Sequence, residues 1–277
     1  MVEVTFRGHN EHLPIIVCIP GMLGMPENFE RMAQSWSAKF ASVFVDLHPQ
    51  NRESGLRDST HSLSTVSYDN TSQEIRDWLV NRFPGRRFWF LGVSIGGKLV
   101  LDFAARYPEL YEGGVITDVG LGAFEKSDLF RFIDEVIPAL NLEQDWTGIK
   151  ADLRAKIPVN AVRVLIQTQV EYSAAEKRGE WKKAVKGLKK FLGMQRIADQ
   201  WSLLPHIQKP TTVLKAEFLS GIAPEDFERM RTLDLFRFEI VTGSAHLLHV
   251  THPEWIERAV GALVTPLSGV ETHSVRV

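Results

Sequence analysis

The sequence predicts an α/β protein: a mostly parallel sheet flanked by helices on both sides, with a helical cap inserted. Three observations predict it. Short apolar stretches of strand length alternate with segments of helical periodicity at both ends of the chain. The alternation stops over residues 121–205, where helical stretches are readable and no strand is. Between one strand and the next helix stands Gly92-Val-Ser94-Ile-Gly96, a sharp-turn sequence in a strand–turn–helix setting. The division that follows is a core of residues 1–120 and 206–277 and a cap of residues 121–205.

Taken in order, residues 2–7 and 15–19 (Ile-Ile-Val-Cys-Ile) read as strands, 27–39 as a helix and 42–46 (Ser-Val-Phe-Val-Asp) as a strand. A helical pattern follows over 69–82. Residues 88–93 (Phe-Trp-Phe-Leu-Gly-Val) form the next strand, and Leu99, Val100, Leu101, Phe103, Ala104, Ala105 and Tyr107 mark a helix over 95–107. Residues 114–118 (Gly-Val-Ile-Thr-Asp) close the first half. The central strands are short, apolar and β-branched, as strands buried on both faces should be. After the cap come strands at 211–216 and 236–241, then a helix over 253–264. Pro253 opens that helix where a missing N–H costs nothing. Pro266 to Val277 shows no periodicity and is expected to be loosely held.

Composition narrows the partners. A chain of 277 residues, 44% of them apolar, can bury a large core. A formal charge of −2 gives no reason to expect nucleic acid. No apolar run reaches the length of a membrane span and no secretory leader is visible, so stable membrane insertion is not expected and a cytoplasmic location is. The single cysteine, Cys18, lies in an apolar strand and reads as a buried thiol. Nothing speaks for a cofactor or for a particular oligomeric state.

The chemistry is read from the turn at Ser94. A serine hydroxyl is a weak nucleophile at neutral pH, so it needs a base, an acid that orients the base, and an oxyanion hole. The base should lie on the loop between the last strand and the last helix, where Gly243-Ser-Ala-His246 precedes His249 and His252. The Gly-Ser-Ala turn singles out His246. Three histidines also invite a metal reading, but no upstream carboxylate or cysteine cluster supports one. The acid has three candidates. Glu217 and Asp226 follow the strand at 211–216, where Leu219 or Ser220 occupies the usual acid position. Asp118 ends the strand next to that of the serine, 24 residues beyond Ser94. A carboxylate there can reach a histidine held over the same sheet edge, and this geometry favours Asp118. The oxyanion hole needs two N–H groups: one from Ile95, the other from the loop Pro20-Gly21-Met22-Leu23-Gly24, with Met22 the expected donor and Gly21 allowing close approach.

On these residues the chain resembles α/β-hydrolase-fold serine carboxylesterases. It is similar to the compact bacterial and mitochondrial subgroup whose acid follows the strand after the nucleophile. The shared features are Ser94-Ile-Gly96-Gly97-Lys98, Pro108-Glu-Leu leading to a strand that ends in Asp118, Ser220 where other members keep their acid, and Gly243 to His246 followed by Pro253-Glu254. The resemblance covers roughly residues 13–120 and 205–265, hardly the cap. It implies Asp118 as the acid and Ser220 as a group bonded to the acid or the histidine. The chain departs from that pattern at Pro20-Gly21, where the family has His-Gly, and at Gly92-Val93-Ser94, where it has Gly-His-Ser.

The expected activity is hydrolysis of small-molecule carboxylic esters through an acyl-enzyme. Thioesterase action, or carbon–carbon bond hydrolysis or lysis, are the variants that keep the same residues, and a ligand-binding shell on the same fold is the non-enzymatic alternative. Within the cap, Glu176 to Leu192 places Trp181, Val185, Leu188 and Leu192 at helical spacing amid lysines. It reads as a helix packed by one face, or as a contact for anionic substrates such as acyl-CoA or for a membrane surface.

Overall fold

The structure, a computed structural model, describes residues 3–7, 12–21, 24, 27–47, 67–123, 135–158, 160–181 and 199–263. Its strands are β1 (Glu3–Arg7), β2 (Ile15–Ile19), β3 (Ala41–Asp46), β4 (Phe88–Val93), β5 (Tyr111–Thr117), β6 (Val170–Ser173), β7 (Arg178–Trp181), β8 (Thr211–Ala216) and β9 (Phe236–Val241). Its helices are α1 (Glu27–Trp36), α2 (Tyr68–Arg82), α3 (Ile95–Arg106), α4 (Trp146–Lys156), α5 (Asn160–Thr168), α6 (Pro224–Met230), α7 (Leu248–Thr251) and α8 (Pro253–Leu263). A 3-10 turn spans Trp201–His206.

One sheet runs in the order β1-β3-β2-β4-β5-β8-β9. β1 is antiparallel to β3 and every other pairing is parallel. Alternation along each strand divides the core into two layers. Ile15, Val17 and Ile19 of β2 face a cluster with Ile75 and Leu79 of α2 and Leu99 and Phe103 of α3. Ile16 and Cys18 face the other cluster, with Phe29, Met32 and Trp36 of α1 and Ile256 and Val260 of α8. Cys18 is a buried free thiol. A strand apolar on both faces is thus explained by helices on both faces.

Two expectations are corrected. β5 begins at Tyr111, ahead of residue 114: Tyr111 is buried and its hydroxyl lies 2.8 Å from Thr211 Oγ1. Within residues 121–205 there are strands after all. β6 and β7 pair antiparallel as a hairpin, Val170 opposite Trp181, so Trp181 stands on a strand and not on the helix read over 176–192. Arg178, one of the charged residues in that reading, pairs with Glu176 of the turn at 2.6 Å and with Glu180 of its own strand at 2.9 Å. Strands of four residues are too short to show their period in sequence. The remaining residues of that segment, 182–192, lie outside the described ones, as does the tail from Pro266. Among the described residues no helix is long and apolar enough to cross a membrane.

Candidate active site

Ser94 sits between β4 and α3 with φ +52° and ψ −121°, a backbone conformation that side chains rarely adopt. Close packing enforces it. A Cβ on Gly92 would lie 2.6 Å from Gly96 O and Gly97 Cα, and one on Gly96 would collide with Ile19 O of β2. The two glycines let α3 start hard against the sheet. Ser94 N–H donates to Thr117 O at the end of β5 (3.0 Å), and the Ser94 side chain caps no helix N–H. Its hydroxyl is therefore left to another partner.

That partner is His246, whose Nε2 lies 3.0 Å from Ser94 Oγ. The ring is carried by the loop after β9. Gly243, at φ +72°, turns the chain, and Ser244 Oγ donates to Val241 O (2.6 Å) to close the turn. His249 and His252 go elsewhere. His252 Nδ1 bonds Thr251 Oγ1 at 2.8 Å. Burial and the neighbouring His246 push His249 down to about 4, so its ring stays neutral.

The other ring nitrogen, His246 Nδ1, lies 2.8 Å from Asp118 Oδ2. Asp118 is 0% exposed and holds φ +48° at the end of β5. Its carboxylate accepts three further bonds: Ala216 N–H (2.9 Å) and Ser220 Oγ–H (2.6 Å) on Oδ1, and Gly221 N–H (2.6 Å) on Oδ2. Burial opposes ionisation, but the bond and charge of His246, the Gly221 N–H and the Ser220 hydroxyl outweigh it. The carboxyl is held below its ordinary value. Nδ1 is the protonated nitrogen in such an arrangement, and Nε2 is then free to accept from the serine.

The other acid candidates are occupied elsewhere. Glu217 accepts from Gly243 N–H (2.7 Å) in the turn that leads to His246. Asp226 accepts from Gly122 N–H (2.8 Å) and Trp201 Nε1–H (3.3 Å). Ser220 is the group on Asp118. Gly221, which belongs to none of the sequence motifs, is a further site residue: a Cβ there would lie 2.5 Å from Asp118 O, 2.8 Å from His246 Cε1 and 2.9 Å from Nδ1. A glycine directly after Ser220 was the available signal.

Ile95 is the first residue of α3, where helix N–H groups and the dipole favour an anion. Gly21 lies against the Ser94 turn, a Cβ on it falling 3.5 Å from Ser94 Cβ. Met22 lies outside the described residues.

The sequence profile of the alpha/beta hydrolase fold matches residues 14–152, half of the chain. The chain belongs to the alpha/beta hydrolase family. Among curated proteins, this hydrolase is 22% identical over 256 residues to Carboxylesterase YbfK of Bacillus subtilis (strain 168), covering 89% of this chain and 79% of that protein. Among solved structures, it is similar to one described as a marine microorganism esterase, with TM-score 0.75 and 16% identity over 94% of this chain and 97% of that one. It is also similar to a thioesterase domain from the curacin biosynthetic pathway, with TM-score 0.68 and 20% identity over 94% of both. At such identities the structural likeness speaks for the fold.

Proposed function

We propose that this alpha/beta hydrolase is a serine esterase that cleaves carboxylic esters of small molecules through an acyl-enzyme. The observation that carries the reading is the unbroken series Ser94 Oγ, His246 Nε2, His246 Nδ1, Asp118 Oδ2, with separations of 3.0 and 2.8 Å. The resemblance to esterases whose acid ends the strand after the nucleophile, and the 22% likeness to a carboxylesterase, support it.

In this reading Ser94 Oγ attacks the ester carbonyl while His246 Nε2 takes its proton. Asp118 stabilises the imidazolium that forms. The oxyanion is received by the N–H of Ile95, with a second donor, Met22, from the loop beside Gly21. The tetrahedral intermediate collapses, the alcohol leaves with the proton from His246, and Ser94 keeps the acyl group. Water, deprotonated by His246, then releases the carboxylic acid and restores the serine. Residues 121–205 form a cap that bounds the acyl pocket. Ser220 and Gly221 act by holding Asp118 and His246.

A panel of nitrophenyl esters and acyl-CoA thioesters of graded chain length tests the reading. Wild type should hydrolyse oxygen esters best, and Ser94→Ala should lose several powers of ten in turnover while staying folded. Near-normal hydrolysis by folded Ser94→Ala would overturn the serine mechanism. Preference for the thioesters would move the assignment to thioesterase.

A further inference from the structure

Lys98 stands one helical turn beyond Ser94 and is 0% exposed. An ammonium is costly to bury, so what it holds in place matters. Its Nζ donates to Gly122 O at 2.6 Å, with Leu121 O at 3.5 Å. The same Gly122 is gripped from the opposite side by an anion, its N–H donating to Asp226 Oδ2. Gly122 is where the chain leaves the core for the inserted segment. The return point is tied to the same place. Gln200, itself buried, donates its N–H to Leu121 O (2.9 Å) and its Nε2–H to Lys98 O (2.8 Å). Trp201 Nε1–H reaches Asp226 Oδ1, and the Arg229 guanidinium lies 3.6 Å over the Trp201 ring. α3, the exit of β5, the return of the insertion and α6 are thus joined in one knot.

We propose that Lys98, Asp226 and Gln200 anchor both ends of the inserted segment to the helix of the nucleophile, and thereby set the acyl selectivity of the Ser94 site without taking part in its chemistry. Lys98 and Asp226 are positioning residues. They grip one residue with opposite charges through its two backbone groups, and neither bonds to Ser94, His246 or Asp118. The selectivity half of the proposal rests on the esterase reading and on the inserted segment as a cap. The anchoring half rests on neither.

The test compares full-length wild type, Lys98→Met and Asp226→Ala, the second variant loosening the knot from its other side should the first fail to fold. Three readouts are taken. Thermolysin should cut within residues 123–198 about tenfold faster in the variants, with cleavage elsewhere unchanged, because only the anchoring of that segment is weakened. A small fluorophosphonate should label Ser94 at a near wild-type rate. KM for an octanoate ester should rise about tenfold while kcat for the acetate ester stays within about twofold. Unchanged thermolysin cleavage in both folded variants would overturn the anchoring. Equal loss of labelling and of turnover on every chain length would overturn the separation of selectivity from chemistry. If wild type hydrolyses no ester at all, the esterase reading fails, and the thermolysin comparison still decides the anchoring.

Discussion

β5 and β8 end side by side on the same edge of the sheet, yet they bring opposite things to it. The end of β5 brings a carboxylate, Asp118, on a residue held at φ +48°. The end of β8 brings donors: the Ala216 N–H, the Ser220 hydroxyl and the Gly221 N–H, all aimed at that carboxylate. The acidic side chain that follows β8 most closely, Glu217, turns away and accepts from Gly243 N–H instead. A buried carboxylate is tolerable only when its lone pairs are filled. One strand end supplies the charge, and its neighbour makes that charge affordable.

The sharpest way to break this comparison is to neutralise each side. Asp118→Asn should fold and lose turnover by roughly 10⁴, because the amide can favour the wrong imidazole tautomer. Glu217→Gln and Asp226→Asn, which each keep an acceptor, should retain kcat within about threefold. The reverse ranking in steady-state kinetics would move the acid to the end of β8.

Crowding the donor side should cost less. Gly221→Ala puts a methyl 2.5 Å from Asp118 O and 2.8 Å from His246 Cε1, so the loop after β8 and the ring must both give way. If His246 is the base proposed above, turnover should drop by about 10²-fold with little change in KM, since displacing such a group by an ångström costs that much. A kinetically normal Gly221→Ala would show that the loop after β8 has room to spare.

Removing one donor should cost less again. Ser220→Ala deletes a hydrogen bond to a charged group, about 1.5–3 kcal/mol. Asp118 is held below its ordinary 3.8, so its ionised form stabilises the fold well above that pH, and the contribution is lost as pH falls through the lower folded value. Ser220→Ala weakens that hold, and its acid unfolding midpoint should move to higher pH. An unmoved midpoint would mean that the backbone donors suffice.

The smallest effect concerns the knot. Burial lowers Lys98 to about 8 from 10.5, with Asp226 and Asp199 opposing it. Between those values the unfolded chain binds a proton that the folded chain does not, so this group makes stability rise with pH across the window. Lys98→Met should remove that rise in urea unfolding at pH 8 and pH 10. An identical rise in the variant would place its source elsewhere.

The difference between the strand ends also explains what the sequence could reveal. The alternation of strands and helices, and the glycines around Ser94, are written in side-chain type and spacing. So are the turn before His246 and the aspartate that ends β5. Among the donors that the end of β8 brings to Asp118, only Ser220 is a side chain. The Ala216 and Gly221 N–H groups leave no mark on the sequence, so there Asp118 is favoured over Glu217 and Asp226 only by its place at the strand end and by the resemblance. The hairpin β6–β7 was hidden for another reason: four-residue strands rich in charge look like helix when their cross-strand pairs are unknown. The knot was hidden because it is tied largely through backbone carbonyls and N–H groups of residues 121 and 122.

The most direct test of the central claim, that Ser94 is activated by His246 with Asp118 behind it, is fluorophosphonate labelling with the adduct mapped by mass spectrometry. Wild type should carry the phosphonyl group on Ser94. Ser94→Ala should carry none, and His246→Ala and Asp118→Asn should label far more slowly while remaining folded. A folded wild type that takes no label, or a His246→Ala variant that labels at the wild-type rate, would contradict the account.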